Sequence, residues 1–99
     1  AKILQLKSFY LLGETDALHF LLDATGQLLR RNKSLSTFGK TTNLHFIGIL
    51  RRISQWKQKK NRLPPEKSEQ ERLRLLERAR RLQPLANRDW ILRILEEQG

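Results

Sequence analysis

Residues 1–33, AKILQLKSFYLLGETDALHFLLDATGQLLRRNK, decide the fold class, because the segments from 43 onward read as helix. Leu4, Leu6, Tyr10 and Leu12 share one parity with Gln5 and Lys7 on the other, and Leu18, Phe20 and Leu22 alternate again. That two-residue period is the mark of a half-buried strand. Gly13-Glu14-Thr15-Asp16 reads as a turn between them, and Asp23-Ala24-Thr25-Gly26 suits a type I turn closed by a glycine at positive φ, with Gln27 to Arg31 as the return strand. A helix competes for the same residues: leucine is a good helix former, β-branched residues are few, and Leu18, Leu21, Leu22 and Leu29 also fit one helical stripe. The alternation favours an α+β protein, with a small N-terminal antiparallel β-hairpin or three-stranded meander over 1–33 followed by three α-helices. The alternative is an all-α chain.

Beyond this segment, the hydroxyl-rich stretch 34–42 is expected to be a loop, with Asn43 capping a helix over 43–60. Phe46, Ile49, Leu50, Ile53 and Trp56 recur at steps of three and four, one face of an amphipathic helix. Pro64 and Pro65 end it. A second helix over 65–82 has Glu66, Glu69 and Glu71 early and Arg78, Arg80 and Arg81 late, matching the helix dipole, and buries Leu75, Leu76, Ala79 and Leu82. Pro84 closes it, and Asn87 caps a third helix over 87–97 with Trp90, Ile91, Ile94 and Leu95 inward. The length of 99 residues, 1–99, suits a single small basic domain and excludes a multidomain enzyme.

Lys and Arg number 20 against 10 Asp and Glu, a formal charge of +10, so the expected partner is a polyanion. The excess is uneven. Between Asn43 and Arg62 the cations Arg51, Arg52, Lys57, Lys59, Lys60 and Arg62 occur with no acid, whereas a merely solvated helix face usually mixes both signs. This stretch is the main candidate for phosphate contact, through Coulomb attraction and counterion release. Arg72, Arg74, Arg78, Arg80 and Arg81 form a second cluster whose planar guanidinium groups suit phosphate, although Glu77 stands four residues before Arg81 and intrahelical pairing competes. Within it Arg74, Arg78 and Arg81 are the expected phosphate contacts. Arg30, Arg31, Lys33 and Lys40 make a smaller group beside the hairpin and loop.

Trp56 and Trp90 lie on apolar stripes and are expected in the core, as are Phe9, Tyr10, Phe20 and Phe46; Phe38, in a basic loop, is the one candidate for stacking on a base. Catalysis has little support. Without cysteine there is no disulfide, thiolate site or thiol nucleophile, and His19 and His45 have no neighbours at metal-ligand spacing. Gly39-Lys40-Thr41-Thr42 has the tail of a P-loop without its leading glycine. No catalytic residue, metal or cofactor is therefore expected, and the chain is expected not to be an enzyme. No apolar run approaches a membrane span, so a soluble intracellular chain is expected, with cytoplasm, organelle matrix and nucleoid not distinguished.

Small size, high charge and cations spread over loop, helix and linker favour an RNA-binding subunit of a ribonucleoprotein such as a ribosome, in contact with RNA and with other proteins of the assembly. One alternative is a DNA-binding module that places the helix after Asn43 in the major groove, with Arg51, Arg52, Gln55 and Gln58 facing base edges. Another is a protein-interaction subunit docking on an acidic partner, to which Leu73 and Leu92, off the stripes of their helices, would add apolar surface.

Overall fold

In the computed structural model, which describes residues 2–97, the chain forms five helices and no strand among those residues. They are α1 (Lys2–Leu12), α2 (Thr15–Arg31), α3 (Thr37–Lys59), α4 (Pro65–Arg81) and α5 (Arg88–Glu97). The expected N-terminal hairpin is overturned, and one residue shows why. A strand carrying Leu18 and Leu22 inward would carry Phe20 inward too, but Phe20 is 74% exposed while Leu18, Leu22, Thr25 and Gly26 are buried at helical spacing. The short alternation is a by-product of a leucine-rich helix.

The expected turns are corrected accordingly. Gly13, at φ 72°, does reverse the chain: its amide bonds to the Tyr10 carbonyl and the Glu14 amide to the Phe9 carbonyl, the glycine-dependent stop of a helix. Asp23 to Gly26 is no turn but the middle of α2, where the Asp23 carboxylate meets the Arg51 guanidinium of α3 and Gly26 is buried. The expected loop over 34–42 shrinks, because α3 begins at Thr37 rather than at Asn43. Ser36, not Asn43, is its cap: Ser36 Oγ accepts the Gly39 amide at 3.0 Å, and Asn43 Nδ2 instead donates to the Gly39 carbonyl. Ser36→Ala is expected to lower stability by about 1 kcal/mol with no change in helix content, checked by urea unfolding followed by circular dichroism. Asn87, read as the cap of the last helix, lies at φ 57° and accepts a hydrogen bond from Lys7 Nζ at 2.9 Å.

The long helix α3 packs against α2, α4 and α5, α1 packs on α2, and α5 packs on α4. The α-carbons span 45 × 28 × 16 Å. A thickness of 16 Å suits two layers of helices at the usual spacing, so much of α3 keeps an outward side. A single core draws on all five helices, with Leu6, Leu22, Phe46, Leu50, Ile53, Ala79, Ile91 and Leu95 fully enclosed. Trp90 packs edge-on against Tyr10 at 5.8 Å and tilted against Phe46 at 6.1 Å, joining α1 and α5 to α3.

Arg88 closes the α4 terminus, donating to the carbonyls of Ala79, Arg80 and Leu82, groups that an ended helix leaves without partners. The Tyr10 hydroxyl is buried without a hydrogen-bond partner, and burial pushes its pKa up to about 12 from 10.0. The unfolded chain therefore ionises this phenol first as pH rises. Its stabilising effect is complete below pH 10 and falls away between pH 10 and about 12, a loss of about 2 kcal/mol at the upper end. Urea unfolding across that range should show the decline, and Tyr10→Phe should flatten it.

Candidate nucleic-acid interface

Opposite the buried stripe of Phe46, Ile49, Leu50 and Ile53, the spacing of α3 turns Arg52, Gln55 and Lys59 to solvent. Helix α4 runs back beside it and turns out Lys67, Gln70 and Arg74. These six side chains line one polar groove of about 480 Å³ between the two helices, with Trp56 and Leu63 also in its wall. Four cations meet a single carboxylate there, Glu71. The two helices present the same pattern, Arg52-x-x-Gln55-x-x-x-Lys59 and Lys67-x-x-Gln70-x-x-x-Arg74, in opposite directions. Lys59 and Lys67 therefore lie toward the 60–64 connection, Arg52 and Arg74 away from it, and the two amides between.

Availability of these cations is a matter of magnitudes. Arg74 reaches Glu71 at 3.6 Å and is 77% exposed, and Arg81 pairs with Glu77 at 2.6 Å with 80% exposure. Exposed pairs of this kind contribute about 0–1 kcal/mol, less than a phosphate contact offers at moderate salt. Arg72 differs. Its guanidinium grips Glu69 with two hydrogen bonds, at 2.8 and 2.6 Å, donates to the Leu95 carbonyl at 3.1 Å, and is only 12% exposed. Hydrogen bonding from Arg72 also holds the Glu69 carboxyl below its ordinary range. Arg72 fastens α4 to α5 and is not offered to a ligand.

The acid-free 43–62 stretch does not act as one patch. Arg52 and Lys59 join the groove, but Arg51 turns to Asp23 on α2. Lys57 lies over the Tyr10 ring at 4.5 Å, and Lys60 lies over the Trp56 ring at 5.5 Å, in a separate recess that also holds Glu69. Arg62 is exposed in the connection, Arg78 is exposed on α4, Lys33 is exposed before α3, and Lys40 is half-buried in its first turns. Arg30 lines a second groove, between α2 and α3, with Arg51 and Asp23, and Arg31 lines a cavity beside α1.

Lys67 and Gln70 are the functional candidates that sequence reasoning passed over. Lys67 sits among Glu66, Glu69 and Glu71 and reads as self-paired, yet the helix turns Glu69 away to Arg72. The repeated spacing on α3 and α4 was the available signal.

Among the aromatics, Trp56 is buried with its Nε1 donating to the Ser68 carbonyl at 3.1 Å, so it offers no face for stacking. Phe38 is exposed in the first turn of α3, away from the groove, and Phe20, expected in the core, is exposed on α2. His45 Nδ1 lies 2.7 Å from the Pro84 carbonyl and His19 Nε2 lies 3.0 Å from Ser54 Oγ, contacts that tie α3 to its neighbours. Among the described residues, no three His, Cys, Asp or Glu side chains converge as a metal site, and no helix is long and apolar enough to cross a membrane. Compared with known proteins, the chain matches no family model, no curated protein and no solved structure.

Proposed function

We propose that the chain is a non-catalytic DNA-binding module that lays its α3–α4 face on the duplex. The observation that carries this is the convergence of Arg52, Lys59, Lys67 and Arg74, from two helices, on one groove with a single carboxylate. Phosphates reward such a cluster without regard to base sequence. Gln70, on α4 between Lys67 and Arg74, is a side chain that pairs with adenine edges in the major groove, and Gln55 on α3 lies beside it in the wall.

Two features favour a DNA duplex over RNA. Single-stranded RNA is read by stacking its bases on exposed aromatics, and the one aromatic in the groove, Trp56, is buried and hydrogen-bonded. Helix α4 packs on α3 and α5 alone among its strong neighbours, which leaves Lys67, Gln70, Arg74 and Arg78 on an outer edge. An edge helix fits the wide major groove of B-DNA but not the narrow one of A-form RNA. The central position of α3 and the Arg51–Asp23 pair argue against α3 as the helix that enters the groove.

Competition at fixed salt tests this. Unlabelled duplex DNA is expected to displace a labelled DNA duplex at lower concentration than duplex RNA or single strands of the same length. Displacement by single-stranded RNA at the lowest concentration contradicts it and restores a ribonucleoprotein subunit as the better account.

A further inference from the structure

We propose that the outer face of α1 joins this chain to a second copy of itself, with the two α1 helices antiparallel about a two-fold axis near Ser8. Leu4, Ser8, Leu11 and Leu12 lie on the side of α1 opposite the buried Leu6 and Tyr10. The three leucines are 66, 65 and 73% exposed. A helix that is apolar on both sides is ordinarily covered on both, yet α2 is the one strong neighbour of α1. Leu28 of α2 extends the apolar surface, since it is exposed beside Ile3 in the lining of one cavity. Covering Leu4, Leu11, Leu12 and Leu28 with the intervening Gln5 and Ser8 on both copies removes on the order of 1,000 Å² from water, the size at which specific interfaces begin.

Charge selects the occupant. From Ile3 to Leu12 every exposed residue of α1 is neutral, and Lys7 is half-buried and turned to Asn87, so two chains of +10 can meet here with little local repulsion. The ends of the face carry opposite signs. Lys2 and Arg31 line one cavity at the start of α1, whereas Glu14 and Asp16 stand at the other end, where α2 begins. All four are exposed, and among the described residues none of them is in an ion pair. A two-fold rotation sets the cationic end of one copy on the anionic end of the other, which makes the surface complementary to itself. A parallel pairing would set like charges together. An acidic partner would find no cation on the apolar span, and an anionic lipid leaflet would be repelled by Glu14 and Asp16. The face shares no residue with the α3–α4 groove, so the inference stands independently of the DNA-binding reading.

Sedimentation equilibrium of the whole chain, freed of nucleic acid, tests this at about 0.3 M salt, where long-range repulsion is screened. Wild type is expected to show a reversible monomer–dimer equilibrium. Leu4→Glu with Leu11→Glu is expected to weaken it by roughly a hundredfold or more, because both copies lose apolar contact and gain like charges. The helix content should not change, since both positions are exposed. Glu14→Lys with Asp16→Lys should weaken the dimer roughly tenfold, and adding Lys2→Glu and Arg31→Glu should restore it, as only an antiparallel pairing allows. The chain has no cysteine, so Ser8→Cys, near the axis, should oxidise to a covalent dimer far faster than Leu73→Cys at an exposed position of α4. A wild-type chain that stays monomeric up to about 1 mM overturns the proposal, whether or not it pellets with phosphatidylcholine vesicles. So does a dimer that survives Leu4→Glu with Leu11→Glu, a charge exchange that restores nothing, or equal oxidation of the two cysteine variants.

Discussion

Replacing Arg52, Lys59, Lys67 and Arg74 together by Gln is expected to weaken binding to a DNA duplex by roughly three to four orders of magnitude at about 0.1 M salt. Each phosphate contact releases close to one counterion and so contributes nearly a factor of ten at that concentration. Four contacts should also flatten the log–log dependence of affinity on salt by about 3.6 units. The folded state should hardly change, because these side chains stand outside the core and the Arg74–Glu71 pair is exposed. The informative comparison is Arg51, Lys57 and Lys60 changed to Gln. Those cations lie in the same half of the chain but are turned to Asp23, Tyr10 and Trp56. Their removal should cost far less affinity per charge, and fluorescence anisotropy across a salt series measures both sets. Equal losses per charge from the two sets would mean that net charge, and not the groove, attracts the polymer.

Trp56→Ala is expected to destabilise the fold by about 3–5 kcal/mol, a large share of what a small domain has to lose. Trp56 is 3% exposed, and its indole joins α3 to α4 through the Ser68 carbonyl at 3.1 Å. Removing it leaves a cavity and takes away the indole hydrogen bond that joins α3 to α4 at the base of the helix pair that carries the groove. Trp56→Phe keeps most of the packing and loses the hydrogen bond, for about 1 kcal/mol. Urea unfolding ranks the two. At concentrations where Trp56→Ala remains folded, DNA affinity should fall by less than in the groove variant. A larger fall would make Trp56 a contact residue rather than part of the support.

What was legible in the sequence follows from the length of each periodic signal. From Phe46 to Trp56 the apolar stripe runs for three turns, and its members are buried. In the N-terminal third the signal is short and apolar on nearly every side. Leu4, Leu11 and Leu12 of α1 are exposed beside buried Leu6 and Tyr10, so period two and period 3.6 could not be separated. A half-buried strand is the natural inference from that ambiguity, and the exposure of Phe20 overturns it. Charge was legible as a total but not as a pattern, because helix rotation scatters neighbours: Arg51 and Arg52 are adjacent in sequence, yet one pairs with Asp23 and the other lines the groove. The hidden half of the site, Lys67 and Gln70, was masked by acids that turn out to face elsewhere or to pair within α4.

The most direct measurement is an amide NMR titration of the isotopically labelled chain with a short DNA duplex at low salt. Shifts are expected to concentrate at Arg52, Gln55, Lys59, Lys67, Gln70 and Arg74 and to spare α1, which contributes nothing to the groove wall. Shifts centred on Arg31 to Lys40 or on α1, or no shifts at all, would contradict the assignment of the α3–α4 groove as the phosphate-binding face.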